Sequence, residues 1–216
     1  MFLAEIWRYP VKSMAGEQLQ TAVLTPAGIT GDRELQVRNA SGRMITSRTH
    51  PALLGHRATF NEQGEVLVDG RHWTDAGVLA DVQKIAGPGA RIVRDQGLHR
   101  FDILPLLVAT DGAIAAFGRD RRRLRPNIVV GGVEGLEERT WEGRQLAIGD
   151  TLIQMEDLRG RCVMTTYDPD TLVQDPEVLR DIMRRFGGRM ALNTDVARGG
   201  TLEINQEVRL LPEHGG

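Results

Sequence analysis

Cysteine is nearly absent: the 216 residues contain one, Cys162. A single thiol cannot form an intramolecular disulfide. It also excludes zinc ribbons or fingers built on CxxC pairs and an iron–sulfur cluster held by cysteines of this chain alone. Aromatic residues make up only 5%, and lysine is confined to Lys12 and Lys84 although lysine and arginine together number 27. Neither sign of charge is in excess, with 29 acidic residues, a net charge of −2 and a pI near 6.2. Nothing global therefore draws the chain to nucleic acid or to an anionic membrane. No run approaches the roughly 20 apolar residues of a spanning helix, and the N-terminus lacks a basic-then-apolar signal pattern. These absences lead to the expectation of a soluble protein in a reducing, cytoplasmic compartment, with no nucleic-acid and no membrane partner. A chain of this length buries roughly 70% of its unfolded surface, so one large or two small cores need no covalent staple.

What is present is glycine, 25 residues, and turn dipeptides at short intervals, which favour many short strands over a helical bundle. Residues 3–9 alternate apolar and polar as a half-buried strand ended by Pro10. Residues 18–24 repeat the alternation. Residues 34–47 read as a hairpin around Asn39-Ala40-Ser41-Gly42, and residues 58–68 as another around Asn61-Glu62-Gln63-Gly64. Helices are predicted over 74–86, capped by Thr74 or Asp75 with Ala76, Leu79, Ala80, Val82 and Ile85 at mixed helical spacings, and over 175–186, with Val178, Leu179, Ile182 and Met183 on one face. A shorter helix is predicted from Asp111 to near Gly118. Further strands are read at 106–109, 127–130, 145–148, 151–155, 163–166, 201–204 and 208–211. Nothing repeats at a solenoid period. The Gly- and Pro-rich stretch 87–97 is the expected boundary between two units, 1–95 and 96–212.

The chemistry-bearing residues fall in a few places. Arg119-Asp120-Arg121-Arg122-Arg123-Leu124-Arg125 is the dense charge cluster, either a solvated loop or an anion site, since guanidinium groups bind phosphate through paired donors. Rim charges of this kind also suit docking of an acidic electron-transfer partner. Pro126 biases Arg125 toward extended backbone. Lys12-Ser13 follows Tyr9-Pro10-Val11, placing an ammonium and a hydroxyl where a strand has just ended. Cys162 follows Arg159-Gly160-Arg161 and begins an apolar run. A lone cysteine there is either a small buried hydrophobe or, beside cations that favour the thiolate, a nucleophile or metal ligand. The five histidines, His50, His56, His72, His99 and His214, show no HxH or HExxH spacing. GxGxxG, GxxxxGK[ST] and GxSxG patterns are also missing.

Tyr9-Pro10-Val11-Lys12-Ser13, Gly31-Asp32-Arg33, Thr46-Ser47-Arg48, Arg125-Pro126-Asn127-Ile128-Val129 and Arg161-Cys162 running into Thr165-Thr166-Tyr167-Asp168-Pro169 together resemble the MOSC family, named for the molybdenum cofactor sulfurase C-terminal domain. They look most like its branch with an added N-terminal β-barrel, which includes the amidoxime-reducing components. The resemblance implies an α+β, predominantly β fold: an N-terminal β-barrel-like unit packed on a MOSC-type β-barrel domain with a few helices. It implies a molybdenum cofactor, a Mo-pyranopterin, in a cleft between the units. Cys162 matches the cysteine that ligates the metal, a soft thiolate joining the two dithiolene sulfurs, and is thus both the metal ligand and the catalytic residue. Lys12, Ser13 and Arg33 match residues on the pterin phosphate side, Arg125 and Asn127 the cleft lining, and Arg161 the basic residue before the cysteine. Asp102, Ile103 and Leu104 match a loop presented to the cofactor, and Arg48 is a further candidate.

The implied function is oxidoreduction: removal of oxygen from small N-hydroxylated or other N-oxygenated substrates, with electrons from a separate ferredoxin-like or cytochrome-like donor protein. Pyridoxal phosphate binding is a further family-level expectation. The alternative is a sulfur carrier or cofactor-binding module using a Cys162 persulfide. Three departures from the family pattern bear on substrate range. Met14-Ala15 stand where the amidoxime reducers have Cys and Lys, Gly160 stands where a serine precedes Arg-Cys, and Arg189-Met190-Ala191-Leu192 lacks an aromatic residue.

Overall fold

The computed structural model describes residues 1–95, 97 and 100–212. Gln96, at the expected boundary, and His99 and His214 lie outside them. The largest sheet has eight strands in the order β17 (Val208–Leu210), β13 (Gln145–Ile148), β14 (Thr151–Gly160), β15 (Arg189–Arg198), β11 (Leu106–Thr110), β12 (Ile128–Gly131), β1 (Phe2–Arg8) and β2 (Glu17–Leu19). All of its pairs are antiparallel except β11 with β12, where α2 (Asp111–Phe117) makes the crossover that a parallel pair requires. The ladder does not close into a barrel. The segment entering β17 meets β1, the strand next to the opposite end, through a single bridge from Phe2 to Glu207, with the Leu3 N–H donating to Gln206 O at 2.9 Å and the Val208 N–H to Met1 O at 3.1 Å.

Three small sheets complete the molecule: β10 (Arg91–Arg94), β5 (Leu35–Arg38) and β6 (Met44–Ile45); β16 (Gly200–Glu203), β3 (Thr21–Thr25) and β4 (Gly28–Ile29); and β7 (Ala58–Phe60), β8 (Val66–Val68) and β9 (Arg71–His72). The protein is therefore α+β and predominantly β. One core forms inside the large sheet around Leu3, Ile6, Val108, Ile128, Trp141 and Leu192, all fully buried. A second gathers Val11, Met14, Leu35, Leu53, Val68 and Val82 from the N-terminal half. Because β1 pairs with β12, the first strand belongs to the sheet of the C-terminal half.

Local chemistry explains the helices. In α3 (Pro176–Phe186) the Asp175 side chain accepts the Glu177 N–H, proline occupies the first turn, and Gly187 ends the helix in the left-handed region at φ 63°. Its buried residues, Val178, Ile182 and Phe186, follow a four-residue spacing, while Met183, expected on that face, points outward and is 58% exposed. α1 (Ala76–Ala86) likewise starts at Asp75, but it buries Val78 and Val82, with Ile85 partly covered. Leu79, Ala76 and Ala80 are exposed.

Two strand expectations fail. Residues 163–166 form a single 3-10 turn, because the Thr165 and Thr166 hydroxyls donate to the Cys162 and Val163 carbonyls at 2.8 and 2.6 Å and curl the chain. The ten-residue β15 was not foreseen. It lies between β14 and β11 with residues 190–194 buried on both faces, so it shows no alternation to read.

Candidate functional site

β14 ends at Gly160, where the Arg161 N–H donates to Gly188 O at 2.9 Å, and the threonine-driven turn begins at Val163. Cys162 sits at this change of direction with its side chain half-exposed. Strand alternation turns Arg159 and Arg161 to one side of it. The thiol opens on a cavity of about 360 Å³ between the two halves of the chain. Its wall includes Lys12, Ser13, Arg33, Asp102, Ile103, Leu104, Arg125, Asn127, Arg161 and Cys162, all ten of the residues named from sequence, together with Arg48. Arg123 and Arg159 complete a lining of seven cations against one carboxylate, Asp102. Arg159 was missed, though its two-residue spacing from Arg161 at a strand end was a readable sign.

The backbone at this wall is unusual. Ser13, Arg33 and Arg125 have φ of 75°, 55° and 57°, a left-handed region that costs non-glycine residues energy and gathers at functional sites. The extended backbone expected of Arg125 is thus corrected. Its N–H donates to Arg122 O, and its guanidinium reaches the Met14 carbonyl at 2.8 Å while lying 4.2 Å above the Tyr9 ring. Those contacts override the preference that Pro126 imposes. Burial pushes the Tyr9 hydroxyl up to about 12, although Arg125 and Arg33 oppose that rise.

Asn127 is a strut rather than an open ligand. It is fully enclosed, its Oδ1 accepting from Arg33 and the Leu107 N–H and its Nδ2 donating to Trp7 O and Asp32, each at 3.2 Å. Asp32, completely buried, takes the Tyr9 N–H at 2.8 Å and pairs with Arg33. Arg159 is aimed by a relay in which it donates to Asn193 Oδ1 at 3.0 Å and Asn193 donates to Asp157 at 2.9 Å. Met14 is wholly buried in the N-terminal core, so the position of a second thiol in the resembled enzymes faces away from solvent here. A β-carbon on Gly160 would meet nothing within 4 Å, so the missing serine hydroxyl is not forced by crowding.

Among the described residues, Arg161 is a cation of the cavity wall without a counter-charge and forms no ion pair. Its Nη2 donates to Leu124 O at 2.8 Å, and its buried Nε has no partner. Burial, then repulsion from Arg159, pushes its guanidinium down to about 10, so at neutral pH the fold holds a charge it disfavours. Arg161→Met is therefore expected to raise the melting temperature of the ligand-free protein by about 2–4 °C, as relief of ~1 kcal/mol would at this size. Calorimetry reads this directly, and an unchanged or lower value would mean that the buried charge costs nothing.

Asp102 shifts in the same direction with the opposite consequence, since its charged form is the favoured one. Burial raises its carboxyl, but the hydrogen bond and charge of Lys12 at 2.8 Å, with Arg48 at 2.9 Å and Arg159 at 3.3 Å, outweigh burial and hold it below the usual carboxylate range. A depressed carboxylate stabilises the fold above its unfolded value of about 4, and that contribution is lost as pH falls through the folded value. Asp102→Asn should flatten the acid limb of stability between about pH 5 and about pH 3 in urea titrations. Equal slopes in the two proteins would remove Asp102 from the charge balance.

The run 119–123 does not present free charge. Arg121 pairs with Glu5 at 2.7 Å, Arg122 with Asp120 and Asp170 at 2.7 Å each, Arg123 with Asp168 at 2.9 Å, and Arg119 approaches Asp175 at 3.7 Å. The run is a set of struts between distant segments, and its expected role in docking an acidic partner is withdrawn. Among the described residues no helix is long and apolar enough to cross a membrane, and no three or more His, Cys, Asp or Glu side chains converge as a metal site.

Comparison with known proteins agrees with this geometry. Human mitochondrial amidoxime reducing component 2 is 34% identical over 242 residues, covering 85% of this chain and 72% of that one. Molybdenum cofactor sulfurase of Anopheles gambiae is 37% identical over 78 residues, 36% of this chain and 10% of that protein. In fold, the crystal structure of the YUAD protein from Bacillus subtilis superposes with a TM-score of 0.53 at 12% identity, covering 97% and 94% of the two chains. Residues 1–114 match the MOSC N-terminal beta barrel domain and residues 113–209 the MOSC domain, so this chain, cavity and thiol included, belongs to the MOSC family.

Proposed function

We propose that the cavity holds a molybdenum cofactor and that the protein reduces small N-oxygenated compounds there. The observation that carries this reading is the pairing of the sole thiol with a cation-lined cavity whose Arg161 Nε is buried without a partner. The donor set suits such a group. Cys162 offers one soft sulfur, and since no other side chains converge there as a metal site among the described residues, further metal ligands would come from the cofactor's own dithiolene. Lys12, Arg33, Arg125 and Arg161 would take its phosphate, and the Ser13 hydroxyl, which makes no hydrogen bond to the described residues, would add a donor.

When bound, the cofactor supplies two-electron exchange at a centre able to accept one oxygen atom. The chain supplies the rest. Asp32 and Asn127 hold Arg33 in place, Asn193 aims Arg159, and the half-exposed Cys162 together with Ile103, 57% exposed, leaves the reacting side open. The balanced reaction takes R–NHOH with two electrons and two protons to R–NH2 and water, the electrons arriving from a separate donor protein. The human relative is named for amidoxime reduction, which supports this substrate class.

The test is conversion of benzamidoxime to benzamidine by the cofactor-loaded chain with a chemical reductant, beside Cys162→Ser. Product from wild type alone is expected. No product from a molybdenum-loaded wild type would overturn the activity.

A further inference from the structure

A second cavity of about 520 Å³ adjoins the first, a volume typical of small-molecule sites. Arg123, Arg125 and Met164 line both cavities and form the wall between them, whereas Cys162 lines only the first. The second has a different character. Trp7, Tyr9 and Tyr167 line it, but Tyr9 is only 3% exposed, with Arg125 4.2 Å and Arg33 4.9 Å over its ring, so the aromatic surface open to the cavity is that of the half-buried Trp7 and Tyr167.

The polar groups of this cavity divide sharply. Arg122 is clamped between Asp120 and Asp170, and Arg123 is held by Asp168. Arg57 is not held. Its backbone N–H donates to Asp69 at 2.8 Å, but its exposed guanidinium has no carboxylate and no hydrogen-bond acceptor among the described residues. The Tyr167 hydroxyl is also without a partner among them, and Arg125 uses one N–H on Met14 O and leaves the others toward the cavities. Donors without acceptors beside the half-buried Trp7 and Tyr167 call for a ligand that brings both an anion and a π-face.

We infer that this second cavity binds a small planar aromatic carboxylate, its ring lying against Trp7 and its carboxylate held by Arg57, with the Tyr167 hydroxyl as a further donor. Nothing in this depends on the first cavity holding a cofactor.

Isothermal titration calorimetry with 2-naphthoate, and with neutral 2-naphthalenemethanol, tests it on the full chain. The carboxylate is expected to bind at one site, about tenfold or more tighter than the alcohol. Arg57→Gln, on an exposed side chain, should weaken the carboxylate by about the same factor. Arg161→Gln and Cys162→Ser should leave its affinity within about twofold, since neither residue lines this cavity. Absence of binding would overturn the inference. So would loss in Arg161→Gln with Arg57→Gln unaffected, which would put the anion in the first cavity instead.

Discussion

Cys162→Ser is expected to strip molybdenum from the protein and to lower reduction of N-oxygenated substrates by more than about a hundredfold. Residues that hydrogen-bond to metal ligands already account for about 10–100-fold, and under the proposed function the ligand itself would change from soft sulfur to hard oxygen. Stability should not move by more than about 0.5 kcal/mol, because the side chain is half-exposed and neither caps the turn that follows nor belongs to a buried cluster. Metal analysis, steady-state turnover and urea unfolding on the same preparation separate loss of ligand from loss of fold. Retained molybdenum and turnover would remove the thiol from the metal. A reductant-sensitive sulfur adduct on Cys162, with no pterin, would favour the sulfur-carrier alternative.

Asp32→Ala is expected to cost about 3–5 kcal/mol, enough to lower the melting temperature by roughly 10 °C. The carboxylate is fully buried and serves three donors at once, the Tyr9 N–H, Arg33 and Asn127. Its removal leaves a guanidinium without its counter-charge and a buried N–H without an acceptor, and each is costly. The effect reaches the cavity because Arg33 and Asn127 lose a common anchor. Asp32→Asn should be milder, since an amide oxygen still accepts. A loss below about 1 kcal/mol, read from chemical denaturation, would show that the left-handed backbone at Arg33 is held by other contacts.

What could be read in advance follows from the range of the interactions. Helix ends are local: Asp75, Asp175 and Gly187 announce their caps within four residues, and the structure uses each of them. Which face a helix buries is not local. Met183 and Leu79 point outward because α3 packs against Phe117 and Leu124, and α1 against the N-terminal core. Strand β15 hid because a strand enclosed on both faces, carrying Asn193 and Thr194 in its interior, shows no alternation.

The cavity was legible as a set of residues, since short motifs far apart in the chain line one space. Their conformations were not. Arg125 takes its left-handed backbone from a partner 111 residues earlier, and Arg122 and Arg123 find carboxylates 48 and 45 residues ahead. No window of sequence around the arginine run contains those partners, so a cluster of struts reads as a patch of free charge.

The account rests on the first cavity being a molybdenum cofactor site, and the most direct test is elemental and pterin analysis of the purified chain made in cells with cofactor synthesis intact. Molybdenum and pterin approaching one of each per chain in wild type, and neither in Cys162→Ser, is the predicted result. A wild-type protein free of both under those conditions would contradict it.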